Sequence, residues 1–343
     1  MSFSQQELAD PGLSHETPDA IDLPDGPARR GRRYFRRGSW KLWTGLAICA
    51  FFCVIAIIAP FTVHTPNQTS SIGLQPPSLD HLLGTTNIGQ DVLSQVLSGT
   101  SGSVFIGVVA GALTVVLSMI FGVGGAFLGG KWDDISSLVS NVFLVLPGLP
   151  LLIIVTDYLQ SQSILIIAVV IAIVSWAGAA RVLRSQTLSV RSRDYVDAAR
   201  VASESTWRIM LREILPNLMP IIASQFVFGA LGAILAEAGL SFLGLGAPGG
   251  RSWGSILFFA QNAQAISLGA WWWFVPPGLC IAILGAALGL INFSIDERIN
   301  PRLRTFAVVR RSPKTQTPKP QTPRGQSPKP QTPKPQTRKA SAR

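Results

Sequence analysis

The chain has 343 residues, of which 48% are hydrophobic and only 14% charged, well under the roughly 25% charged typical of soluble domains. Its 29 Lys and Arg against 18 Asp and Glu give a net charge of +11, which leaves a nucleic-acid binder or a membrane protein with its charges sorted to one side. Cys49, Cys53 and Cys280 lie in apolar runs away from His15, His64 and His81, so they read as small apolar packers and not as a disulfide or zinc framework.

In chain order, residues 1–28 are polar and acidic with no cleavable signal pattern, and belong to an N-terminal tail, 1–40, expected to be largely disordered. Apolar runs long enough to cross about 30 Å of hydrocarbon follow near 42–63, 104–130, 136–156, 164–183, 217–245 and 271–293. The fold class is therefore all-α, a polytopic membrane protein with six transmembrane helices. Its expected organisation is a first helix at 41–63, an external loop at 64–103, a five-helix core at 104–295 and a basic, Pro-rich tail at 296–343. With the N-terminus inside, only Arg251 of the 29 basic residues falls outside, so both termini are expected in the cytoplasm. The basicity thus reports topology, and no nucleic acid is expected.

Pro60, Pro147, Pro276 and Pro277 stand within or at the ends of the runs, where they kink or end helices. Gly107/Gly111, Gly125/Gly129 and Gly285/Gly289 repeat at four-residue spacing, a pattern that lets helices pack closely. The repeated Pro-Lys-Pro-Gln-Thr units of 312–343 favour extended or disordered chain. A solvated tail with no specific role is expected there, with contact to anionic lipid headgroups or a partner as the alternative.

The stretch Gly125-Ala-Phe-Leu-Gly-Gly130-Lys131-Trp132 nearly spells a phosphate-binding loop, but Trp132 stands where a Ser or Thr would ligate magnesium, and the segment ends a membrane helix. No nucleotide site is expected in this chain. Glu237 lies in an apolar run about 30 Å above Asn217, which leaves a pathway or gate role and a solvated interface residue both open. Trp271, Trp272 and Trp273 read as an interfacial anchor.

The segment 184–216 is too long for a simple connector. Apolar residues at helical spacing, Val196/Ala199 and Trp207/Met210/Leu211, predict two short amphipathic helices meeting near Ser203. Ser203 and Ser205 are candidate N-caps, and Pro216 fits a break before the fifth span. Ala198 and Ala199 would let another protein approach closely, and the surrounding arginines would meet its carboxylates. The physical alternative is an amphipathic segment lying on lipid.

Here the sequence resembles the permease subunits of ABC-type importers, whose cytoplasmic loop carries Glu-Ala-Ala, then Gly, then Leu-Pro. Asp197-Ala198-Ala199 aligns with the triplet, Ser203 with the glycine and Leu215-Pro216 with the ending. Gly84 to Gly89, Asp91-Val-Leu-Ser94, Ser175-Trp176, the run Glu237 to Gly246, and Asp296 to Arg304 resemble the dipeptide, oligopeptide and nickel branch, although that branch usually carries charge where Thr86, Gln90 and Gln95 stand.

The resemblance implies a type I importer permease fold in the bacterial plasma membrane. It makes Asp197, Ala198, Ala199, Ser203, Ile214, Leu215 and Pro216 the ATPase-coupling residues. It also implies a second homologous permease, two cytoplasmic ATPases that bind the ATP and magnesium, and an external binding protein, with no cofactor, metal or catalytic residue in this chain. Small peptides are the expected cargo, with nickel chelates or another small solute as the alternative. The rivals of another class are a stand-alone secondary transporter or channel, and a non-transporting scaffold or receptor.

Overall fold

The computed structural model describes residues 35–63, 68–159, 163–247 and 251–299. The disorder expected of 1–28 and 312–343 lies outside them. Among the described residues, five helices are long and apolar enough to cross a membrane: Trp40–Thr62, Val92–Leu128, Ile164–Arg191, Thr206–Phe242 and Trp271–Glu297. In elements these are α1 (Phe35–Thr62), α2 (Val92–Ser118) continued through a π turn into α3 (Gly125–Leu128), α6 (Ile164–Arg191), α9 (Leu215–Phe242) and α11 (Trp271–Ile299).

The sixth expected span is a broken one. Helices α4 (Gly130–Val145) and α5 (Gly148–Leu159) meet at 91°. Pro147 forces the break: the residue before a proline is pushed out of the helical region, and Leu146 is extended at φ −70°, ψ 132°.

The second span starts twelve residues earlier than its apolar run, inside the stretch read as an external loop. Asp91 begins it, its carboxylate accepting from Ser94 N at 2.8 Å and Ser94 Oγ at 2.6 Å, an N-cap that satisfies a free amide and favours the helix dipole. The chain before it is knitted by Thr85, fully buried, whose hydroxyl donates to Gly73 O at 2.7 Å and accepts from Gln75 N at 2.8 Å. Thr86 accepts from Gln90 N at 3.1 Å, and Gln95 donates to Gln90 Oε1 at 2.5 Å. These neutral bonds join Thr86, Gln90 and Gln95, the positions at which the resemblance leads one to expect charge.

Helix α9 packs against α2, α6, α11 and the short α10 (Trp253–Asn262). Of the spaced glycines, only Gly107/Gly111 sets both its members against one other membrane-spanning helix, α9. A Cβ on Gly111 would meet Ala230 N at 3.0 Å, and one on Gly107 would meet Ile234 side-chain atoms at 2.8 Å. Gly125 faces Ser136, Gly285 faces only the Leu231 side chain, and Gly289 faces nothing within 4 Å. Several buried hydroxyls fold back on their own helices, as Ser118 Oγ to Thr114 O at 2.6 Å and Thr187 Oγ1 to Leu183 O at 2.7 Å, which satisfies those groups inside the bundle, whereas Ser136 Oγ is buried without a partner among the described residues.

The tryptophan cluster divides its labour. Trp271 is exposed, Trp272 Nε1 donates to Thr85 O at 3.3 Å, and Trp273 is buried in the core with Phe52 and Trp253. The residues 68–91, α10 and the start of α11 therefore form one end of the bundle. The turn between α6 and α9 forms the other.

Candidate functional site

Between α6 and α9 the chain makes α7 (Asp194–Val201) and α8 (Thr206–Ile209), the two short helices expected from the apolar spacing. They meet at Ser203, but not through a cap at that residue. Ser203 has φ 57°; its N–H donates to Arg200 O at 2.9 Å, and Glu204 N–H donates to Ala199 O at 3.1 Å. That pair of bonds is a Schellman C-terminus for α7, the geometry that favours glycine. Ser205 occupies the N-cap position of α8, with no side-chain cap bond.

The left-handed backbone explains why a glycine belongs here in the aligned loop, and it sets a prediction. Ser203→Gly should stabilise the loop by roughly 1 kcal/mol and Ser203→Val should destabilise it, since a Cβ is penalised in this region. Protease cleavage rates at the loop in purified protein check the order.

Pro216 does not break the chain. Helix α8 runs through a π turn, Met210–Ile214, straight into α9. Pro216 sits in the first turn of α9, and the wider turn before it accommodates the missing N–H and the ring that would crowd Arg212 O.

One face of this turn is bolted to the bundle. Val196, Ile209, Ile214 and Leu218 are buried, with Ala199 partly buried beside them, against Leu183 and Phe127. Asn217 ties α9 to α7 through Tyr195 Oη at 3.3 Å and bonds Glu213 O at 2.6 Å. At the base of α6, Arg184 forms a two-pronged pair with Asp133, both bonds 2.8 Å, which fixes α4 against α6. Arg191 Nη1 donates to Ala126 O at 2.8 Å, so the glycines of the near phosphate-loop sequence end α3 beside a guanidinium.

The opposite face is free. Asp197 and Ala198 are exposed, as are Val201 at 86%, Trp207 at 64% and Leu211 at 55%. Arg193, Arg200, Arg208 and Arg212 surround them, with Asp197 accepting from Arg200 at 2.9 Å. Of the residues expected to couple, Ile214 is fully buried and therefore anchors the turn, Leu215 is half-buried, and Ser203 and Pro216 are exposed.

Glu237 is not at a solvated interface. It is 3% exposed, its Oε1 accepts from Ser241 Oγ at 2.6 Å, and Gly254 of α10 lies against Ala238 and Ser241 on the next turn. Helix α10 covers it.

A second feature, absent from the expected sites, is a groove of about 510 Å³ walled by α2, α6, α9 and α11. Its polar groups are Thr114, Ser175, Ser224, Gln225, Asn292 and Asp296, among Gly178, Phe228, Gly229 and Gly232. Glu237 is not part of its lining. Asn292 and Asp296 stand four residues apart on α11, a helical spacing that puts both on one face, although the apolar run ends at 293, short of Asp296. Among the described residues, no group of three His, Cys, Asp or Glu is arranged to hold a metal.

Comparison with known proteins matches this architecture to a family. A protein of Brucella suis named as a peptide transport system permease is 37% identical over 304 residues, 87% of this chain and 98% of that one. The dipeptide transport system permease protein DppC of Bacillus subtilis is 33% identical over 264 residues, 76% of this chain and 81% of that one. The oligopeptide transport system permease protein OppC of Bacillus subtilis is 30% identical over 264 residues, 76% of this chain and 85% of that one. Residues 114–305, which hold the free-faced turn and most of the groove, match the family described as binding-protein-dependent transport system inner membrane component. This chain, an all-α multi-pass protein, belongs to that family of inner-membrane permeases.

Proposed function

We propose that this chain is the permease subunit of an ATP-driven importer that carries small peptides across the plasma membrane, with its α7–α8 turn docked on a cytoplasmic ATPase. The observation that carries the reading is the likeness, over 76–87% of the chain, to proteins named as peptide permeases, joined to a rigidly backed turn whose free face is apolar and basic. Charge sorting supports placing that turn and both termini in the cytoplasm.

The complex comprises two such permeases, two ATPases and an external binding protein. The second permease closes the open side of the groove, and the partners bind the ATP and magnesium. Closure of the ATPases moves the turn, and because it is bolted through Val196, Ile209 and Ile214, the motion reaches α6 and α9 together. Contacts that differ between the inward and outward states supply the bias.

Deleting the chain from its host should reduce uptake of labelled di- and oligopeptides at least tenfold, with recovery on re-expression. Unchanged peptide uptake together with lost nickel uptake would move the cargo to the metal branch of the family. Transport by the purified chain alone in vesicles would return the stand-alone transporter.

A further inference from the structure

The groove holds one group that neither the coupling turn nor the packing of the bundle uses. Asp296 projects from α11 about 37 Å beyond Trp271, at the end of the groove nearer the α7–α8 turn. It shares that end with Asn292 on its own helix and Ser224 on α9. Ser224 is 6% exposed, and its Oγ lies 2.5 Å from Asn292 Oδ1 and 3.4 Å from Asp296 Oδ1.

The three oxygens thus converge, with a single hydroxyl proton among them. That proton serves the shorter bond to Asn292, so the carboxylate keeps nearly all its acceptor capacity. Among the described residues, the ion pairs engage Glu297, Asp91, Asp133 and Asp197, but not Asp296. Every other residue lining the groove is uncharged. Asp296 is itself only half-buried, so its charge stands at the groove's inner mouth, where an entering cation gains the attraction of this acceptor set. An alkylammonium fits in number, since its three N–H donors match three oxygens. Phe228 and Gly229, in the same lining, leave apolar room beside it.

We propose that Asp296, Asn292 and Ser224 form a binding point for the substrate's primary ammonium group at the inner end of the groove. This rests on the peptide-import reading and adds which end of the peptide the permease itself recognises. The substrate leaves the external binding protein, and its amino end is held here before release.

The test uses the purified permease–ATPase complex in detergent, without binding protein or nucleotide, and saturation-transfer NMR with alanyl-alanine and N-acetyl-alanyl-alanine as probes. The wild-type complex should show signal from the free-amine peptide at least tenfold above the acetylated one. Asp296→Asn should lose that difference, and Asp296→Glu should keep it. Equal binding of the two peptides to the wild type would overturn the proposal, and this comparison stands even if the Asn variant does not assemble. Retention of the full preference by an assembled Asp296→Asn complex would also overturn it, assigning the carboxylate to a cation of the partner permease. Uptake by the complete wild-type complex in vesicles separates the two levels: peptide import without amine selectivity sinks this inference alone, whereas no peptide import sinks the reading beneath it.

Discussion

Replacing Ala198 and Ala199 together with glutamate should abolish peptide uptake and strip the ATPase from the purified complex, while the chain still inserts in the membrane. Ala198 lies on the free face of α7, whereas Ala199 is partly buried against the core formed by Val196, Ile209 and Ile214, so Ala198→Glu alone is the companion variant that leaves that core untouched and should show the same losses. At a docked interface, by contrast, each glutamate would be a buried charge without a partner beside Asp194 and Asp197. Such charges cost about 3–5 kcal/mol, which at about 1.4 kcal/mol per decade is at least a hundredfold in affinity. Co-purification and uptake measured on the same preparation check it. If the turn merely lies on lipid, both readings stay near wild type.

The second large effect is expected at Gly111. Its added Cβ would sit 3.0–3.1 Å from the N, Cα and Cβ of Ala230, where the contact is mostly backbone and cannot swing aside. Gly111→Leu must therefore part α2 from α9, the helix against which most of the bundle packs. Overpacking usually costs about 1–3 kcal/mol, and here it also removes the close approach that drives helices together in lipid. Thermal unfolding of purified protein should show a strongly destabilised or unrecoverable Gly111→Leu chain. Gly289→Leu, with nothing within 4 Å, should unfold near the wild-type temperature.

These two sites differ in how far the residues alone disclose them. The amphipathic spacing of Val196/Ala199 and Trp207/Leu211 announced both short helices, because that pattern records which face is buried. Gly107/Gly111 announced a close contact, yet Gly285/Gly289 has the same spacing and makes none of that kind with backbone. Spacing within one helix says nothing of what lies opposite. Prolines divide similarly. Pro147, in the middle of an apolar run, turns the chain through 91°, while Pro216, in a first helical turn behind a π turn, interrupts nothing.

Depth was easier to read than burial. Counting residues from Asn217 placed Glu237 high in its span, but its exclusion from solvent depends on α10, a separate ten-residue helix that folds over it from beyond the span. The groove was harder still. Ser224, Asn292 and Asp296 are unremarkable polar residues in two helices far apart in sequence, and only their convergence distinguishes them. Asp296 also fell just past the end of the apolar run, although α11 continues to Ile299.

The central claim is that the free face of α7 meets an ATPase, and proximity tests it most directly. With Cys49, Cys53 and Cys280 replaced, a single cysteine at position 198 should form an oxidative cross-link to a cysteine placed in the docking groove of the co-expressed ATPase, with a yield that changes when ATP is bound. A cysteine at Ile214, fully buried beneath the turn, should give none. Cross-linking from Ile214 but not from position 198, or from neither while the assembled complex imports peptide, would contradict the account.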